Sequence, residues 1–422
     1  MLEKPKLFTT LKEFWLSMLF LFSILSVHLF YLYGEYSEFK EKPFFYTDVE
    51  VIQSYEKWKD NDFYTVLKLY SSTLDITFFS RTKIRKSELT PHLRLKLFPH
   101  YKMQFKEYLG TSFINSNINE IYEDYSFKSK LLNLVKEQHQ DSLVINFYNA
   151  IYFAEPLNKK LRQQVSILGV SHLIALSGFH LAILSTLLFF LLRPIYRFFQ
   201  QRYFPYRFDL IDIGFVVLGL LAWYLWFVGS PASLLRSYAM MLLGWVFLLL
   251  GVELITISFL TTITMLLLVI FPKLLLSLAF WFSITGVFYI FLLLHYFKDL
   301  NRYIMTAIIS FGIFILMLPV VHLIFSTTTA LQPLSPLLSM LFTLFYPISI
   351  GLHIVGLGDS FDTLLLTLFS WKSSQYDTLI SYWLGLGYLM LSFVSFYFRK
   401  LFYLLLLLSF IFFIWLFMGF LL

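Results

Sequence analysis

Long apolar runs separated by short polar segments occupy the chain from residue 166 onward, and one further run lies near the N-terminus. A hydrocarbon core about 30 Å thick is crossed by roughly 20 helical residues. The runs predict spans at about 14–33, 166–192, 210–228, 234–251, 254–271, 274–297, 303–325, 337–356, 377–398 and 401–422. We therefore expect a polytopic α-helical membrane protein with about 9–10 transmembrane helices.

Residues 35–165 show a different pattern, because they are polar and part of this region alternates between apolar and polar positions. In HLRLKLF, leucines alternate with Arg94 and Lys96, and VLKLY behaves in the same way. Period-two alternation is typical of half-buried strands. It predicts a small inserted β-barrel or sandwich over about 44–106. Residues 108–165 lack the alternation and contain patches such as SKLLNLVKEQ, which indicate amphipathic helices leading back to the bilayer.

Basic residues predict which side of the membrane each loop occupies. Lys4, Lys6 and Lys12 precede the first helix, so the N-terminus is expected in the cytoplasm and residues 35–165 outside. Arginines in the loop at 193–207 agree with this order, because they fall on the cytoplasmic side.

One basic pair conflicts with this count. Arg399 and Lys400 would lie outside if every apolar run crossed the membrane. Residues 337–376 contain one proline and three glycines. We therefore expect part of this region to lie in the interface or to re-enter instead of crossing.

Composition removes several kinds of chemistry. Of the 422 residues, 58% are hydrophobic and 14% are charged, which is not the composition of a soluble domain. The absence of cysteine excludes disulfides, thiolate metal sites and cysteine nucleophiles. The sequence has no Gly-Lys dipeptide and hence no phosphate-binding P-loop, and it has no H-x-H pair for a nuclease-type dimetal site. No catalytic constellation is visible, so we expect no enzyme activity, cofactor or bound metal.

Two histidines lie inside the second apolar run. His172 and His180 would be about 80° apart on a single helix, around an Ala-Leu-Ser-Gly step. Polar groups in lipid are costly unless they face a partner or a cavity. Three interpretations are open: neutral histidines hydrogen-bonded between helices, a face lining a water-filled path, or a metal site. A metal site would lack a third ligand nearby in sequence.

Arg236 lies near the outer end of another apolar helix, within GSPASLLRSYAMM. An arginine at the centre of a helix costs about 2.5–3.5 kcal/mol on insertion scales. The side chain therefore either snorkels to the outer surface or points into the bundle and meets an anion.

Residues 80–106 carry a basic run interrupted by one acid, Glu88. Its positive residues are Arg81, Lys83, Arg85, Lys86, Arg94, Lys96, Lys102 and Lys106. The aromatic residues interleaved with them are Phe78, Phe79, Phe98 and Tyr101. Basic strands with aromatic side chains suit single-stranded nucleic acid, by phosphate neutralisation and base stacking. The alternative is a basic surface that rests against anionic lipid headgroups.

The stretch GVSHLIALSGFHLAIL resembles the signature G-x-S-H-L-x-A-x-S-G-x-H of ComEC-type competence proteins, a family of DNA uptake channels. GSPASLLRSYAMM is similar to the family's glycine-serine loop and arginine helix. FPKLLLSLAFWFSITGV is similar to its proline and F-x-L-S-F block, and SPLLSMLFTLFYPISI to its later N-L-L-x-x-P segment. These blocks follow the family order and cover roughly residues 150–356.

The resemblance implies an OB-like extracytoplasmic domain, followed by a helical channel that passes one DNA strand across the bacterial inner membrane. Together with the hydropathy and alternation patterns, it predicts five segments: 1–34 cytoplasmic tail and first helix, 35–107 OB-like β domain, 108–165 amphipathic connection, 166–356 channel, and 357–422 interfacial segment and last helices. It assigns the channel signature to His172, Ser177, Gly178, His180, Arg236, Phe280 and Ser283. Gly178 would allow close helix approach, and the imidazoles would face the DNA path or the seams around it.

The sequence also departs from the family pattern. Trp281 and Phe282 replace a polar-aliphatic pair, Ser335 stands where asparagine is common, and the metallo-β-lactamase-like domain of many members does not follow. Strand degradation is then expected from a separate nuclease. The other implied partners are single-stranded DNA, membrane lipids, a periplasmic DNA receptor, and a cytoplasmic ATP-dependent translocase or ssDNA-binding proteins.

Two other functions are compatible with many helices and an outward domain. A membrane glycan ligase or polymerase would need outward arginines with an acid or histidine base, whereas the basic residues here lie in a strand-like region. Another polytopic transporter would be expected to show inverted repeats, which the sequence does not display.

Overall fold

The computed structural model describes residues 7–59, 62–122, 127–174 and 176–420, so the charges at Lys4 and Lys6 lie outside the described residues. The chain divides into two compact units. The sheet unit comprises Lys6–Leu131 and Thr261–Phe280, and the helical unit comprises Leu132–Leu260 and Trp281–Leu422.

The sheet unit begins with a long helix and continues as a six-stranded sheet. Its first elements are α1 (Leu11–Glu41), β1 (Phe45–Lys59), β2 (Asp62–Ser71), β3 (Ile76–Thr82), β4 (His92–Phe98), α2 (Phe105–Leu109), β5 (Thr111–Phe113) and β6 (Asn115–Ile121). The strand order is β5-β3-β2-β1-β4-β6, with β5 parallel to β3 and the other pairs antiparallel. Because β5 and β6 are consecutive, one stretch of chain pairs first with β3 and then with β4.

One face of the sheet forms the core of this unit. Its buried side chains include Leu67, Leu69, Phe78, Leu93, Leu95 and Leu97. Tyr36 and Phe39 from the end of α1 pack on them, together with Tyr108 of α2. α1 therefore continues beyond its predicted end, because its last turns cover the sheet.

The remaining elements are mostly helical. They are α3 (Phe127–Glu137), α4 (Ser142–Phe153), α5 (Lys159–Ile167), α6 (Ser171–Ile174), α7 (Gly178–Tyr203), α8 (Asp209–Phe227), α9 (Ala232–Leu249), α10 (Ile257–Ile270), α11 (Leu278–Phe297), α12 (Arg302–Val321), β7 (Thr327–Thr329), α13 (Ser335–Ile354), α14 (Asp362–Ser370), β8 (Gln375–Asp377), α15 (Tyr382–Val394) and α16 (Arg399–Met418). In the helical unit, α4, α5, α13 and α14 share one buried core, and α7, α8 and α9 share a second.

Seven helices of the described chain are long and apolar enough to cross a membrane: α1, α7, α8, α11, α12, α13 and α16. The protein is thus a multi-pass membrane protein. Three more apolar helices, α9, α10 and α15, are shorter. The described chain would cross the membrane ten times if the three shorter helices also crossed it, so the expected number of 9–10 crossings stays a prediction.

Three expectations from the sequence need correction. The predicted span at 166–192 is wrong, because the chain breaks there and a long helix starts only at Gly178. The sheet does not end near residue 107, because β5 and β6 extend it to Ile121. Their polar sequence gives weak alternation, which hid them. The connection at 108–165 is not wholly amphipathic either, because most side chains of α4 are buried in the helical unit.

The region at 337–376 contains one long helix and one short helix. α13 continues through Pro347 without interruption and is long and apolar enough to cross a membrane. α14 has 9 residues, too few to cross a bilayer. The interfacial placement expected for part of this region remains a prediction for α14.

Candidate functional site

The signature segment connects helices through a sharp break. After α5, Gly169 adopts φ +68°, a left-handed conformation that favours glycine. The N–H of Val170 donates to the carbonyl oxygen of Val165 at 2.9 Å, which is the wider hydrogen bond of a Schellman motif. The chain then forms α6, of 4 residues, and starts α7 at Gly178 after Ser177. The break places backbone carbonyls and polar side chains at the start of a membrane helix.

α9 packs closely against this start. A Cβ atom added to Gly178 would lie 3.0 Å from Oγ and 3.2 Å from Cβ of Ser237, so a larger residue would press on the Ser237 side chain. One turn earlier on α9, Ser233 Oγ donates to the carbonyl oxygen of Leu176 at 2.7 Å. That bond satisfies a carbonyl group that the break leaves without a helical partner.

α13 contacts the same segment along one stripe. Ser335 Oγ donates to the carbonyl oxygen of Gly169 at 3.0 Å, and Ser339 Oγ lies 3.4 Å from Nε2 of His172. Further along the stripe, Phe342 and Tyr346 place their rings edge-to-face with His180, at centroid distances of 5.3 and 5.0 Å. The spacing of these α13 residues is that of one helix face. The signature segment, α9 and α13 are distant in sequence and therefore meet only in the folded structure, at the break.

The two signature histidines have different surroundings. His180 is fully buried, and its Nδ1 accepts from the backbone N–H of Ser177 across a long 3.4 Å. Its Nε2 is buried and has no hydrogen-bond partner among the described residues. His172 is exposed. The single-helix geometry expected for the pair is wrong, because the break separates them.

A metal site gains no support at this position. Within the described ranges, no group of three or more histidine, aspartate and glutamate side chains could hold a metal ion. His180 lies against two aromatic rings, which supply no charge. Packing between helices and a face lining a water-filled path both stay open as interpretations; the buried His180 fits the first, and the exposed His172 fits the second.

The other predicted channel residues are more dispersed. Arg236 is buried on α9, one residue before Ser237, which favours the inward alternative over snorkelling. Phe280 is buried in the sheet unit, whereas Ser283 is exposed in the helical unit. The structure therefore brings the histidine, Ser-Gly and arginine blocks together, whereas Phe280 and Ser283 lie about one turn apart near the start of α11.

A comparison with protein families shows to which family this chain belongs. A family model described as Competence protein matches residues 154–422, which is more than half of the chain. The chain belongs to the Competence protein family. The resemblance found in the sequence is confirmed, and the match continues beyond residue 356 through α14, α15 and α16. No curated protein and no solved structure matches the chain.

The basic run of this competence protein does not form a single patch. Arg81 on β3 lies opposite Val66 on β2, which in turn lies opposite Tyr55 on β1. Arg94 on β4 lies opposite Asp48, which is seven residues before Tyr55 on β1. At about 3.3 Å per residue the two arginines are roughly 20 Å apart along the sheet. The strands β2 and β1 also separate them. The run therefore divides into two clusters on the sheet and several loop residues.

The first cluster surrounds Lys96 on the sheet face opposite the core, which we call the outer face. The Nζ atom of Lys96 lies 4.0 Å from the ring centroid of Phe44, and it also approaches the rings of Tyr46 and Phe98. Neighbouring Arg94 is partly neutralised, because its guanidinium lies 4.0 Å from a carboxylate oxygen of Glu120. This cluster combines one cation with several aromatic faces.

The second cluster lines a shallow cleft on the same outer face. Its residues are Tyr55, Lys57, Tyr64, Val66, Phe79, Arg81 and Phe113. Lys57, Arg81 and Phe113 are exposed, so two cations and one ring reach solvent. The sequence singled out Arg81 and Phe79 but missed Tyr55, Lys57, Tyr64 and Phe113, which lie outside the basic run or its strands. Strand pairing is what brings them together.

The remaining candidate residues of the run lie in loops. Lys83, Arg85 and Lys86 follow β3, and Tyr101 and Lys102 follow β4; all are exposed. Phe78 is buried in the core and offers no stacking face, which corrects one expectation for the aromatic residues.

Proposed function

We propose that this competence protein passes single-stranded DNA across the bacterial inner membrane into the cytoplasm during natural transformation. Its family supports a role in DNA uptake, and its long apolar helices support a multi-pass membrane location. The observation that carries the DNA part is the outer face of the sheet, where exposed cations stand beside aromatic rings.

The proposal treats the sheet unit as an OB-like extracytoplasmic domain. Support comes from the pairing of the stretch 111–121 with both β3 and β4, in parallel and antiparallel directions. OB-folds bind oligonucleotides on the face of their second and third strands. The cleft with Lys57 and Arg81 lies on the corresponding face, beside β2 and β3.

The proposed contacts follow from the chemistry of single strands. Lys57, Arg81 and Lys96 would neutralise phosphates, and exposed aromatic side chains would stack on bases at roughly 1–3 kcal/mol per base. Lys83, Arg85, Lys86 and Lys102 would add loop contacts around the same strand. Binding of this kind is tolerant of sequence and sensitive to salt.

The path through the membrane is proposed at the break before α7. Half-buried polar groups at broken helices face cavities more readily than lipid, because lipid offers them no hydrogen bonds. His172 and Ser339 would face the strand, while His180 would hold the seam between α7 and α13. The proposal assigns no catalytic step, so a separate nuclease would degrade the other strand.

Import also needs a source of energy. Each charge that crosses against a negative interior costs about 2.3 kcal/mol per 100 mV. We therefore propose a periplasmic receptor that delivers DNA, and a cytoplasmic ATP-dependent translocase or ssDNA-binding proteins that pull the strand. Purified protein that hydrolysed ATP by itself would contradict this division of labour.

DNA binding can be tested with the full chain in nanodiscs. Fluorescence anisotropy of a labelled single-stranded oligonucleotide should give a salt-dependent affinity. The double variant Lys57→Gln, Arg81→Gln should flatten the log-log salt slope by roughly 1.4, at about 0.7 per lost phosphate contact. Lys130→Gln removes a positive charge from α3, which is not one of the strands of the outer face, and should leave the slope unchanged.

The lipid alternative gives the opposite pattern. If the clusters serve headgroups, the protein in neutral nanodiscs will show no measurable affinity for the oligonucleotide. An unchanged slope in the double variant would likewise remove the outer face from the DNA path.

A further inference from the structure

A partly buried chain of hydrogen bonds joins three parts of the helical unit. His139 follows α3, His353 lies in the last turn of α13, and Asp362 begins α14. Nδ1 of His139 lies 2.9 and 3.0 Å from the two carboxylate oxygens of Asp362. Nε2 of His139 lies 2.9 Å from Nε2 of His353, whose Nδ1 is 2.7 Å from the carbonyl oxygen of Ser349.

Each contact in this series of groups can be a hydrogen bond only if the groups hold one additional proton. The Ser349 carbonyl accepts, so Nδ1 of His353 carries a proton and Nε2 of the neutral ring presents a lone pair. The Asp362 carboxylate also accepts, so Nδ1 of His139 carries a proton and its Nε2 presents a second lone pair. Two lone pairs 2.9 Å apart repel, whereas a proton between them makes a hydrogen bond of ordinary length.

The proton count does not depend on where the protons reside. If Asp362 is protonated and donates to Nδ1 of His139, that ring donates through Nε2 to His353, and the three groups again hold three protons. In both arrangements the network is electrically neutral. Neutrality suits its position, because His139 and the neighbouring Tyr148 are buried.

We propose that His139 and His353 form a buried proton-binding site, in which one proton joins the two Nε2 atoms and balances the charge of Asp362. The ligand is a proton rather than a metal ion, because the described residues offer no third histidine or carboxylate facing the two nitrogens. This inference stands independently of DNA transport.

Among the groups that contact His139 and His353, Asp362 is the one that supplies a negative charge. Tyr148 stacks on His139 at a centroid distance of 4.7 Å, and the Tyr152 hydroxyl lies 3.4 Å from Nδ1 of His353. Burial raises the pKa of both tyrosines, so both stay neutral near pH 7. Within the part of the chain that the structure describes, no lysine or arginine forms an ion pair with Asp362.

The proton would couple the end of α13 to α14 and to the segment before α4. Gln138 strengthens the same junction, because its amide donates to the carbonyl oxygen of His353 at 3.1 Å and accepts from the N–H of Gly358 at 3.0 Å. Loss of the proton would leave a buried negative charge and two facing lone pairs. The junction should therefore loosen as the pH rises.

The sign follows from linkage. Unfolded histidines titrate near about pH 6.5. Because loss of the shared proton would leave two lone pairs facing each other beside the Asp362 carboxylate, the proposal requires the folded network to keep this proton above that pH. The folded network holds three protons, whereas the unfolded groups hold four well below about pH 6.5 and two well above it. The stabilisation is therefore greatest near about pH 6.5, and it is lost as the pH rises from there until the folded network releases its proton. One linked proton changes the unfolding constant by up to about tenfold per pH unit in that window.

The test compares thermal melting of the full chain in nanodiscs at pH 6.0 and 8.5, followed by tryptophan fluorescence. Wild type should melt at a lower temperature at pH 8.5. Asp362→Asn should reverse the difference, because its amide donates to Nδ1 of His139, which then donates to His353 without an additional proton, whereas the unfolded histidines still take up protons at pH 6.0. His322→Gln is the matched control and should keep the wild-type difference, since His322 is already satisfied as a neutral ring by Leu318 and Thr328.

A second measurement keeps the proposal open to contradiction if a variant misfolds. Nitrogen-15 NMR of histidine-labelled wild type at pH 7.5 should show one ring-nitrogen signal of a shared proton, absent from His353→Gln. Two histidines with no proton held between their Nε2 atoms would overturn the proposal. So would the wild-type pH dependence in Asp362→Asn, or one tightly bound metal ion per chain that is lost in His353→Gln.

Discussion

At the scale of single residues, two histidines of one signature behave differently. His180 is enclosed by Phe342 and Tyr346, whereas His172 is exposed beside Ser339. The sequence identified both positions but gave them one shared role, since a helical wheel assumes that the helix is continuous. Burial, which depends on α13, separates them.

This difference predicts unequal effects of alanine. His180→Ala should lower stability by about 2–4 kcal/mol, because it leaves a cavity in a packed seam, and His180→Gln should cost less. His172→Ala should stay within about 0.5 kcal/mol and yet reduce transformation if this side chain lines the path. Melting in nanodiscs and transformation frequency measure the two effects. Equal destabilisation by the two alanine variants would contradict the assigned surroundings.

Gly178 provides a sharper test of packing. Gly178→Ala should destabilise the protein by about 1–3 kcal/mol, because the new Cβ would press on Ser237. Adding Ser237→Gly should recover most of the loss. Gly219→Ala on α8 is the matched control, since a Cβ there meets no atom within 4 Å, and it should be neutral or slightly stabilising. A neutral Gly178→Ala would disprove the close approach, as read from melting temperatures.

At the scale of elements, hydropathy located the helices from α8 onward well, because an apolar run of about 20 residues has few other structures available. It could not locate the break at Gly169, since the residues on both sides of the turn remain apolar. The family motif marked the position without revealing its geometry. Close contact with α9 and α13 explains why these residues occur there.

In the sheet, too, the sequence predicted some features and missed others. Alternation identified β2 and β4, where one side of each strand faces the core. It failed to group Tyr55 and Lys57 with Tyr46, because a register shift between Val51 and Gln53 moves later residues of β1 to the other face. The second cluster was therefore invisible as a surface until the strands were paired.

The pairing changes what is expected of Arg94 and Lys96, which the sequence treats alike. Lys96→Gln should flatten the salt slope of oligonucleotide binding by about 0.7. Arg94→Gln should change it much less, because Glu120 already offsets that charge. Anisotropy titrations at several salt concentrations distinguish them. A larger effect from Arg94 than from Lys96 would contradict the proposed face.

At the scale of the whole molecule, basic residues predict the orientation. The sheet should face outward, and the loop between α7 and α8 should face the cytoplasm. The chain has no cysteine, so single cysteines label cleanly. An impermeant thiol reagent applied to cells with a permeable outer envelope should modify Ser72→Cys and spare Gln201→Cys. Modification of Gln201→Cys alone would invert the topology.

The central claim is that this chain carries a DNA strand across the inner membrane, and strand tracing tests it most directly. Cells lacking the gene receive DNA with a radioactive label, and the label is followed into the periplasm and the cytoplasm. The account predicts that labelled DNA still reaches the periplasm, that no labelled strand enters the cytoplasm, and that transformants disappear until the gene is restored. Cytoplasmic label and transformants at the wild-type level in these cells would contradict it.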